Sequence, residues 1–278
     1  MPVPLKLLEI SKSSWYPAKF FPMMQQKDGR GGFPVVIRPE VFARASEALQ
    51  QSPIFSDLAP EEKEEFLNAC RYQIISPDTL LFSPGDDCRN LYFIISGRIK
   101  MQEVDPDTGR NLVLFLLSSG DIFDFICLLD GGPHSLEAVS LDRCELLALP
   151  IATMHRFIGT NLNINKALLP YLGQKMRQLA NLAAELSLSD TATRLQLLLL
   201  RHIQGDPPER IPRLIHDLSH EDIAGLIGTV RVVVNRHIQH LKKEGILQTH
   251  RKFIAIRDLK ALLHKVESRF RFPGKKSS

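Results

Sequence analysis

Between Asp217 and Thr249 the chain reads DLSHEDIAGLIGTVRVVVNRHIQHLKKEGILQT, and its chemistry lies in Arg231, Asn235, Arg236 and His240. A guanidinium fork matches the two acceptors that guanine shows in the major groove, and a side-chain amide offers the donor and acceptor that pair with adenine. Arg231 and Arg236 are five residues apart, within reach of neighbouring base pairs. Thr229 stands just before that run, His240, Lys242 and Lys243 lie along it, and Arg251 and Lys252 come just after it. Such groups hold phosphates and give affinity without sequence preference. The chemistry is recognition of a nucleic acid rather than catalysis.

Those side chains need two helices and a tight turn to present them. Ser219 is a good N-cap, and Asp222 three residues on is an acidic variant of the capping box. Ile223, Leu226 and Ile227 recur at helical spacing, and Gly228 stands where the chain must reverse. After Thr229 a second helix is expected to run to about Lys243, with Val230, Val233, Val234, Ile238 and Leu241 on its apolar face and Gly245 ending it. Two β-rich runs follow, Ile246 to Gln248 and Phe253 to Ile256, with His250, Arg251 and Lys252 between them. The pattern is a helix-turn-helix with a basic β wing, whose second helix enters the major groove. A winged helix that contacts protein instead of DNA shares most of this pattern; Lys242, Lys243, Arg251 and Lys252 favour DNA.

The overall charge of +4 over 278 residues hides an asymmetry. Residues 190–278 carry 17 Lys+Arg against 9 Asp+Glu, a balance of +8, while residues 53–150 carry 7 against 17, a balance of −10. Only the C-terminal part is suited to a polyphosphate. Cys70, Cys88, Cys127 and Cys144 form no C-x-x-C pair and no zinc pattern, so no metal ligands are assigned and a reduced, cytoplasmic chain is expected. No apolar run approaches a membrane span, and no signal-peptide pattern opens the chain.

Residues 1–40, rich in Pro, Gly, Ser and Lys, read as a poorly ordered extension with Trp15, Phe20 and Phe21 as anchors. A helix is expected around Pro39–Gln50, and another from Pro60 that packs Phe66 and Leu67. From Tyr72 to Pro150 short apolar runs alternate with turns such as SPD, SPGDD, SG, DPDTG and SSGD, the rhythm of an all-β barrel or jelly roll. No nucleophile elbow, Walker loop or H-E-x-x-H falls within it, so no enzyme is expected. Helix returns at Asn161, where Leu168, Leu172, Met176, Leu179, Ala183 and Leu186 step by fours and threes as a dimerisation seam. Leu186–Asp190 reads as a hinge. A leucine-rich helix with Leu195 and Leu197 to Leu200 then opens the basic domain.

With LYFIISGRIKM, SSGDIF, LLDGGPHSLEAV, LSLSDTATRL and the helix-turn-helix in this order, residues 50–260 resemble the cyclic-AMP receptor protein/FNR family of bacterial transcription regulators. The resemblance implies an α+β chain. Its expected parts are an extension (1–40), a double-stranded β-helix (β-roll) sensor (41–160), a long dimerisation helix and hinge (161–189), a winged helix-turn-helix (190–270) and a tail (271–278). It also implies a homodimer on an inverted repeat of double-stranded DNA, and contact with RNA polymerase.

The departures from the family fall at its functional residues. Cyclic-nucleotide binders of this family carry F-G-E and then R-S/T-A, the Glu taking the ribose hydroxyl and the Arg the cyclic phosphate. Here the positions hold Phe123-Asp124-Phe125 and His134-Ser135-Leu136. An acid is added and the phosphate's guanidinium is lost, so cyclic AMP is not the expected signal. Phe125 and Leu136 make the cassette more apolar, which suits either an apolar effector such as haem or a filled core. The iron–sulfur branch has an N-terminal cysteine cluster, and this chain has no cysteine before Cys70. The carbon-monoxide-sensing branch has Cys and His haem ligands where this chain has Asp124 and Ile126, although Pro2 is shared. Cys127 and Cys144 are the pair to watch for redox chemistry, and His134 is expected as a solvated loop histidine. On the recognition helix the family's R-E becomes Arg231-Val232, as in the cyanobacterial nitrogen-control branch. Val232 accepts no hydrogen bond, so a preference for cytosine there should give way to a thymine methyl.

Overall fold

The computed structural model describes residues 38–202, 217–250 and 253–267. The extension's Trp15, Phe20 and Phe21, the loop from Gly205, and the wing-tip residues Arg251 and Lys252 lie outside these. Two helices come first, α1 (Pro39–Gln51) and α2 (Pro60–Ala69). Each has proline at its first turn, where the missing N–H is no loss. Phe66 and Leu67 of α2 are buried, as its pattern predicts, with the Phe66 ring against Phe55 and Phe157.

The strands follow as β1 (Arg71–Ile75), β2 (Leu80–Phe82), β3 (Asn90–Ser96), β4 (Ile99–Val104), β5 (Asn111–Leu117) and β6 (Ile122–Phe123). A single-turn-and-a-half helix α3 (Phe125–Asp130) precedes β7 (Glu137–Ser140) and β8 (Cys144–Pro150). They pair antiparallel in two four-stranded sheets, ordered β1-β8-β3-β6 and β2-β7-β4-β5. This is the expected β-roll. Ile94, Ile99, Leu117, Phe123, Ala138, Cys144 and Leu146 meet in its interior.

Helix resumes at α4 (Ile151–Thr160), ten residues earlier than the sequence rhythm suggests. Its signal is weak because only Met154 and Phe157 are buried. Asn161 then caps α5 (Leu162–Leu188), its side chain accepting from the N–H groups of Asn163 and Ile164. The expected hinge shortens accordingly. α5 continues through Leu188, and Asp190 already caps α6 (Thr191–Arg201) by accepting from Thr193 N at 2.8 Å. Among the described residues no helix is long and apolar enough to cross a membrane.

α5 is apolar on two sides. Ile164, Leu168 and Tyr171 are buried against the chain's own sensor, with Leu172 and Leu179 packed beside them. Lys175 points the same way and ion-pairs with Asp121 at 3.1 Å, its ammonium 4.9 Å from the Tyr171 ring centroid. The other side bears Leu162, Leu169 and Met176, 65%, 70% and 71% exposed, with exposed Ala183 next at the same seven-residue spacing. The residues of the expected seam therefore fall on two different faces. Met176 and Ala183 stand on the open face, whereas Leu168, Leu172, Leu179 and Leu186 lie inward.

The C-terminal module comprises α6, α7 (His220–Leu226), α8 (Arg231–Lys243), the wing strands β9 (Leu247–His250) and β10 (Phe253–Ile256), and α9 (Leu259–Glu267). Leu195, Leu199, Ile223, Val234, Ile238, Leu241 and Leu262 form its core.

Candidate nucleic-acid interface and sensor cassette

Local sequence builds the turn between α7 and α8. Ser219 Oγ accepts from Asp222 N at 3.0 Å, worth about 1 kcal/mol to the helix. Asp222 does not complete the capping box. Its carboxylate takes the Ser219 hydroxyl and, at 2.7 Å, the ammonium of Lys100 on β4. Gly228 turns the chain at φ +62, and a Cβ there would sit 2.5 Å from Leu186 Cδ2. At the far end of α8, Gly245 (φ +75) donates to Lys242 O and Ile246 N donates to Leu241 O, a Schellman stop.

These constraints fix which face of α8 is free. Val234, Ile238 and Leu241 go inward, Val233 is half-buried, and Val230 serves as the N-cap residue. Arg231, Asn235, Arg236, His240 and Lys243 are exposed, Thr229 and Lys242 half-exposed, and Val232 is 79% exposed. Val232 thus shares the exposed face of α8 with Arg231, Asn235 and Arg236. His240 lies 3.5 Å from Glu244, which Lys265 also holds at 2.8 Å.

Sequence reasoning missed Arg194. It comes from the LSLSDTATRL stretch and is buried where α5, α6 and α7 meet. Its Nε donates to Ile227 O at 2.8 Å, and its Nη1 donates to Leu186 O at 3.2 Å and Ser189 O at 2.8 Å. One guanidinium thus ties the end of the long helix to the turn of the helix-turn-helix. Arg98, at the turn into β4, makes a second tie. Its Nε donates to Asp142 Oδ2 and its Nη1 to Asp217 Oδ1, both at 2.6 Å. The sensor and the C-terminal module are in direct contact through these pairs, through Leu116 and Leu141, and through Gly225, where a Cβ would lie 3.0 Å from both Asn111 Oδ1 and Val113 Cγ2.

The cassette differs from its sequence reading. Phe123 and Leu136 are buried, Phe125 is half-buried, and Ser135 is exposed. His134 is not a solvated loop residue. It is 5% exposed, its ring stacks on Phe82 with centroids 3.7 Å apart, and its Nδ1 is 3.0 Å from Asp124 Oδ1. Asp124 keeps the left-handed backbone (φ 71) that suits the family's glycine, at a cost of about 1–2 kcal/mol for a residue with a Cβ. Burial pushes its carboxyl above the usual range, with His134 partly offsetting the effect. The apolar cavity lined by Met101, Phe115, Phe125 and Leu136 holds about 20 Å³, room for about one water and none for haem. Phe125 and Leu136 both line that small cavity.

The two cysteines singled out for redox chemistry, Cys127 and Cys144, have different surroundings. Cys144 is buried with its thiol donating to Arg98 O and Asp142 O, both at 3.3 Å. The neighbour of Cys127 is Cys88, and with Asp124 and His134 they make one cluster whose four ligand atoms all lie within 4.8 Å of one another. Burial pushes both thiols above their ordinary range. The sequence assigns no metal ligands; the fold gathers a set that could hold one.

Comparison with known proteins agrees with this architecture. Residues 73–161 match the cyclic nucleotide-binding domain model and residues 193–265 the Crp-like helix-turn-helix domain model. The CRP-like cAMP-activated global transcriptional regulator of Mycobacterium tuberculosis is 29% identical over 184 residues, 66% of this chain and 82% of that protein. The cyclic AMP receptor protein of Thermus thermophilus is 29% identical over 220 residues, 78% of this chain and 98% of that protein. The global nitrogen regulator of a Nostoc species is 28% identical over 180 residues, covering 63% and 80%. Among solved structures, the c-di-GMP-responsive global regulator of Xanthomonas campestris superposes with TM-score 0.60 at 23% identity, covering 70% of this chain and 97% of that one. FixK2 from Bradyrhizobium japonicum does so with TM-score 0.61 at 18% identity, covering 70% and 96%. These structural likenesses speak to the fold. Both domain models, in order and on the elements described above, identify the chain as a member of the CRP/FNR family, a CRP-like transcription regulator with a helix-turn-helix DNA-binding domain.

Proposed function

We propose that two copies of this chain pair along α5 through Leu162, Leu169, Met176 and Ala183, and that the pair reads an inverted repeat with one α8 in each half-site. The observation that carries the reading is the exposed face of α8, where Arg231, Val232, Asn235 and Arg236 project together opposite the buried Val234, Ile238 and Leu241. These four take the base edges. Thr229, His240, Lys242, Lys243, Arg251 and Lys252 take phosphates. The apolar repeat on α5 supports the dimer, since a seven-residue spacing is that of a two-stranded seam. Contact with RNA polymerase belongs to the same reading and rests on the family resemblance.

In this reading the sensor does not answer to cyclic AMP, although the relatives from Mycobacterium tuberculosis and Thermus thermophilus are named for it. A carboxylate, Asp124, sits where a phosphate would have to approach, and the side chain replacing the phosphate arginine is already engaged with it. Two charge-assisted contacts of about 1.5–3 kcal/mol each are missing, a loss of two or more decades in affinity. Selection of bound sites from a random DNA pool with the full-length protein tests the DNA part, and no enriched palindrome would refute it. Calorimetric titration tests the sensor part, and low-micromolar binding of cyclic AMP would refute that.

A further inference from the structure

Four side chains from three separate segments converge at the cassette. Cys88 belongs to the loop between β2 and β3, Asp124 and Cys127 flank the start of α3, and His134 precedes β7. Besides its 3.0 Å approach to Asp124, His134 Nδ1 lies 3.9 Å from Cys127 Sγ. Asp124, Cys127 and His134 are buried, while Cys88 is half-buried and opens the cluster to solvent. Asp124 makes a second, independent point. Its side chain is 3% exposed, and its Oδ2 is buried without a hydrogen-bond partner. A carboxylate oxygen in that position lacks the proton donor or cation that buried acids require.

We propose that Cys88, Asp124, Cys127 and His134 form a tetrahedral site for a divalent transition-metal ion of the zinc class. Two thiolates, an imidazole and a carboxylate are the borderline-soft set that such ions take, and they suit magnesium or calcium poorly. With bond lengths of about 2.0–2.3 Å, the ligand atoms of a filled site stand ~3.3–3.8 Å apart. The present spread of at most 4.8 Å closes by small side-chain shifts. Binding releases both thiol protons to solvent. The two thiolates and the carboxylate then leave the filled site with one net negative charge.

The surroundings are built to hold the imidazole and the carboxylate still. His134 N donates to Asp86 O at 3.0 Å, Gly85 N donates to His134 O at 2.8 Å, and Phe82 covers the ring. The left-handed backbone at Asp124 aims its carboxylate inward, strain of the kind kept where a function needs it. A Cys88–Cys127 disulfide would explain neither the unpartnered Asp124 oxygen nor the placing of His134. α3 also carries Phe125, whose ring meets Phe115 at 5.9 Å and Tyr171 of α5 at 6.2 Å. An ion gripping Cys127 therefore bears on the helix that faces the second copy. The site deepens the reading of a sensor that does not use a nucleotide, and rests on that reading only for what the ion signals.

The test uses the full-length chain, reduced and stripped with a chelator under anaerobic conditions, and Co²⁺ as the probe. One equivalent per chain is expected to give visible bands of tetrahedral intensity and thiolate-to-metal charge transfer in the near ultraviolet, both displaced by Zn²⁺. Cys88→Ser and Cys127→Ser should each weaken binding by ~100-fold or more, beyond the loss usual for an outer-shell partner. Cys144→Ser, whose hydroxyl can keep the two carbonyl contacts, should retain the full spectrum. X-ray absorption of the zinc-loaded native chain needs no variant, and should show two sulfur and two nitrogen or oxygen neighbours. The proposal is overturned by absence of the charge-transfer band, by its persistence in the Cys88→Ser/Cys127→Ser double variant, or by a zinc shell without sulfur. It is also overturned if the chain forms a Cys88–Cys127 disulfide in air, seen as loss of two hydrogens by mass, and takes up no cobalt once reduced. Cyclic-AMP titration of the stripped chain is a separate measurement, so failure of either idea is distinguishable from failure of the other.

Discussion

Replacing Arg194 by methionine keeps most of the apolar stem and removes the guanidinium that ties α5 to the helix-turn-helix. Three well-formed donations are lost, to Ile227 O, Leu186 O and Ser189 O. Hydrogen bonds from a charged donor are worth about 1.5–3 kcal/mol each, which gives roughly 5–9 kcal/mol gross. Against this stands the desolvation of a buried cation, several kcal/mol that the methionine variant no longer bears. The net expectation is a loss of about 2–4 kcal/mol in the stability of the C-terminal module, because three carbonyls at helix ends lose their donor, that of Ile227 in a buried position. Urea denaturation followed by far-ultraviolet circular dichroism reads it, with operator affinity measured by fluorescence anisotropy on the same samples. Arg194→Lys keeps the charge but has no fork to reach three carbonyls at once, and should fall between the two. A loss below about 1 kcal/mol for Arg194→Met would refute the reasoning, and so would a lysine variant as stable as the native chain.

Leu169→Glu should give a folded monomer, since the side chain is exposed within one chain and would place two charges in the seam of a pair. Leu168→Glu should instead destabilise the sensor itself by several kcal/mol. Sedimentation and thermal melts separate the two, and a dimeric Leu169→Glu at micromolar concentration would move the seam elsewhere. Arg236→Ala should relax specificity at one base pair per half-site, whereas Lys242→Ala should weaken all sequences alike and flatten the salt dependence. Val232→Glu should introduce a preference for cytosine worth about 1–3 kcal/mol, read by site selection. Burial lowers the pKa of His202 at the end of α6. The unfolded chain thus binds its proton more readily, and the C-terminal module should lose stability as pH falls through the ordinary histidine range, about 7.5 to 5.5. Constant stability across that range would remove His202 from the account.

Local signals were legible and distant ones were not. Ser219, Gly228 and Gly245 mark their helix ends through contacts within a few residues, so the sequence locates α7 and α8 closely. The strand rhythm yields the β-roll for the same reason, because each turn carries its own Gly, Pro or Asp. The expected seam on α5 divides between two faces because the helix is apolar on two sides. Leu168 and Leu169 are adjacent in the chain, and periodicity alone does not tell which serves the chain's own core. The cluster of Cys88, Asp124, Cys127 and His134 gives no spacing signal, since three segments meet only after the two sheets close. Asp222 looked like a capping acid. Its role is shared with Lys100, more than a hundred residues away, and no local pattern encodes that.

The absence of side chains at Gly225 and Gly228 bears on how freely the reading head could be exchanged. At Gly225 the backbone of α7 comes within a methyl's width of Asn111 and Val113 on β5, and at Gly228 the turn does the same against Leu186 and Leu112. A chimaera that joins this sensor to the C-terminal module of another regulator would inherit whatever that module carries at the two positions. With alanine at the first, the side chains of Asn111 and Val113 must give by a few tenths of an ångström, and a larger side chain lifts the graft from β5. Lifting it breaks the short paths from Arg98 to Asp217 and from Lys100 to Asp222. Such a hybrid would keep its operator preference and lose its response, unless residues 111–113 were trimmed along with the graft. Under the proposed reading, modularity in this chain extends to the sequence it reads and stops at the contacts between β5 and the turn of the helix-turn-helix.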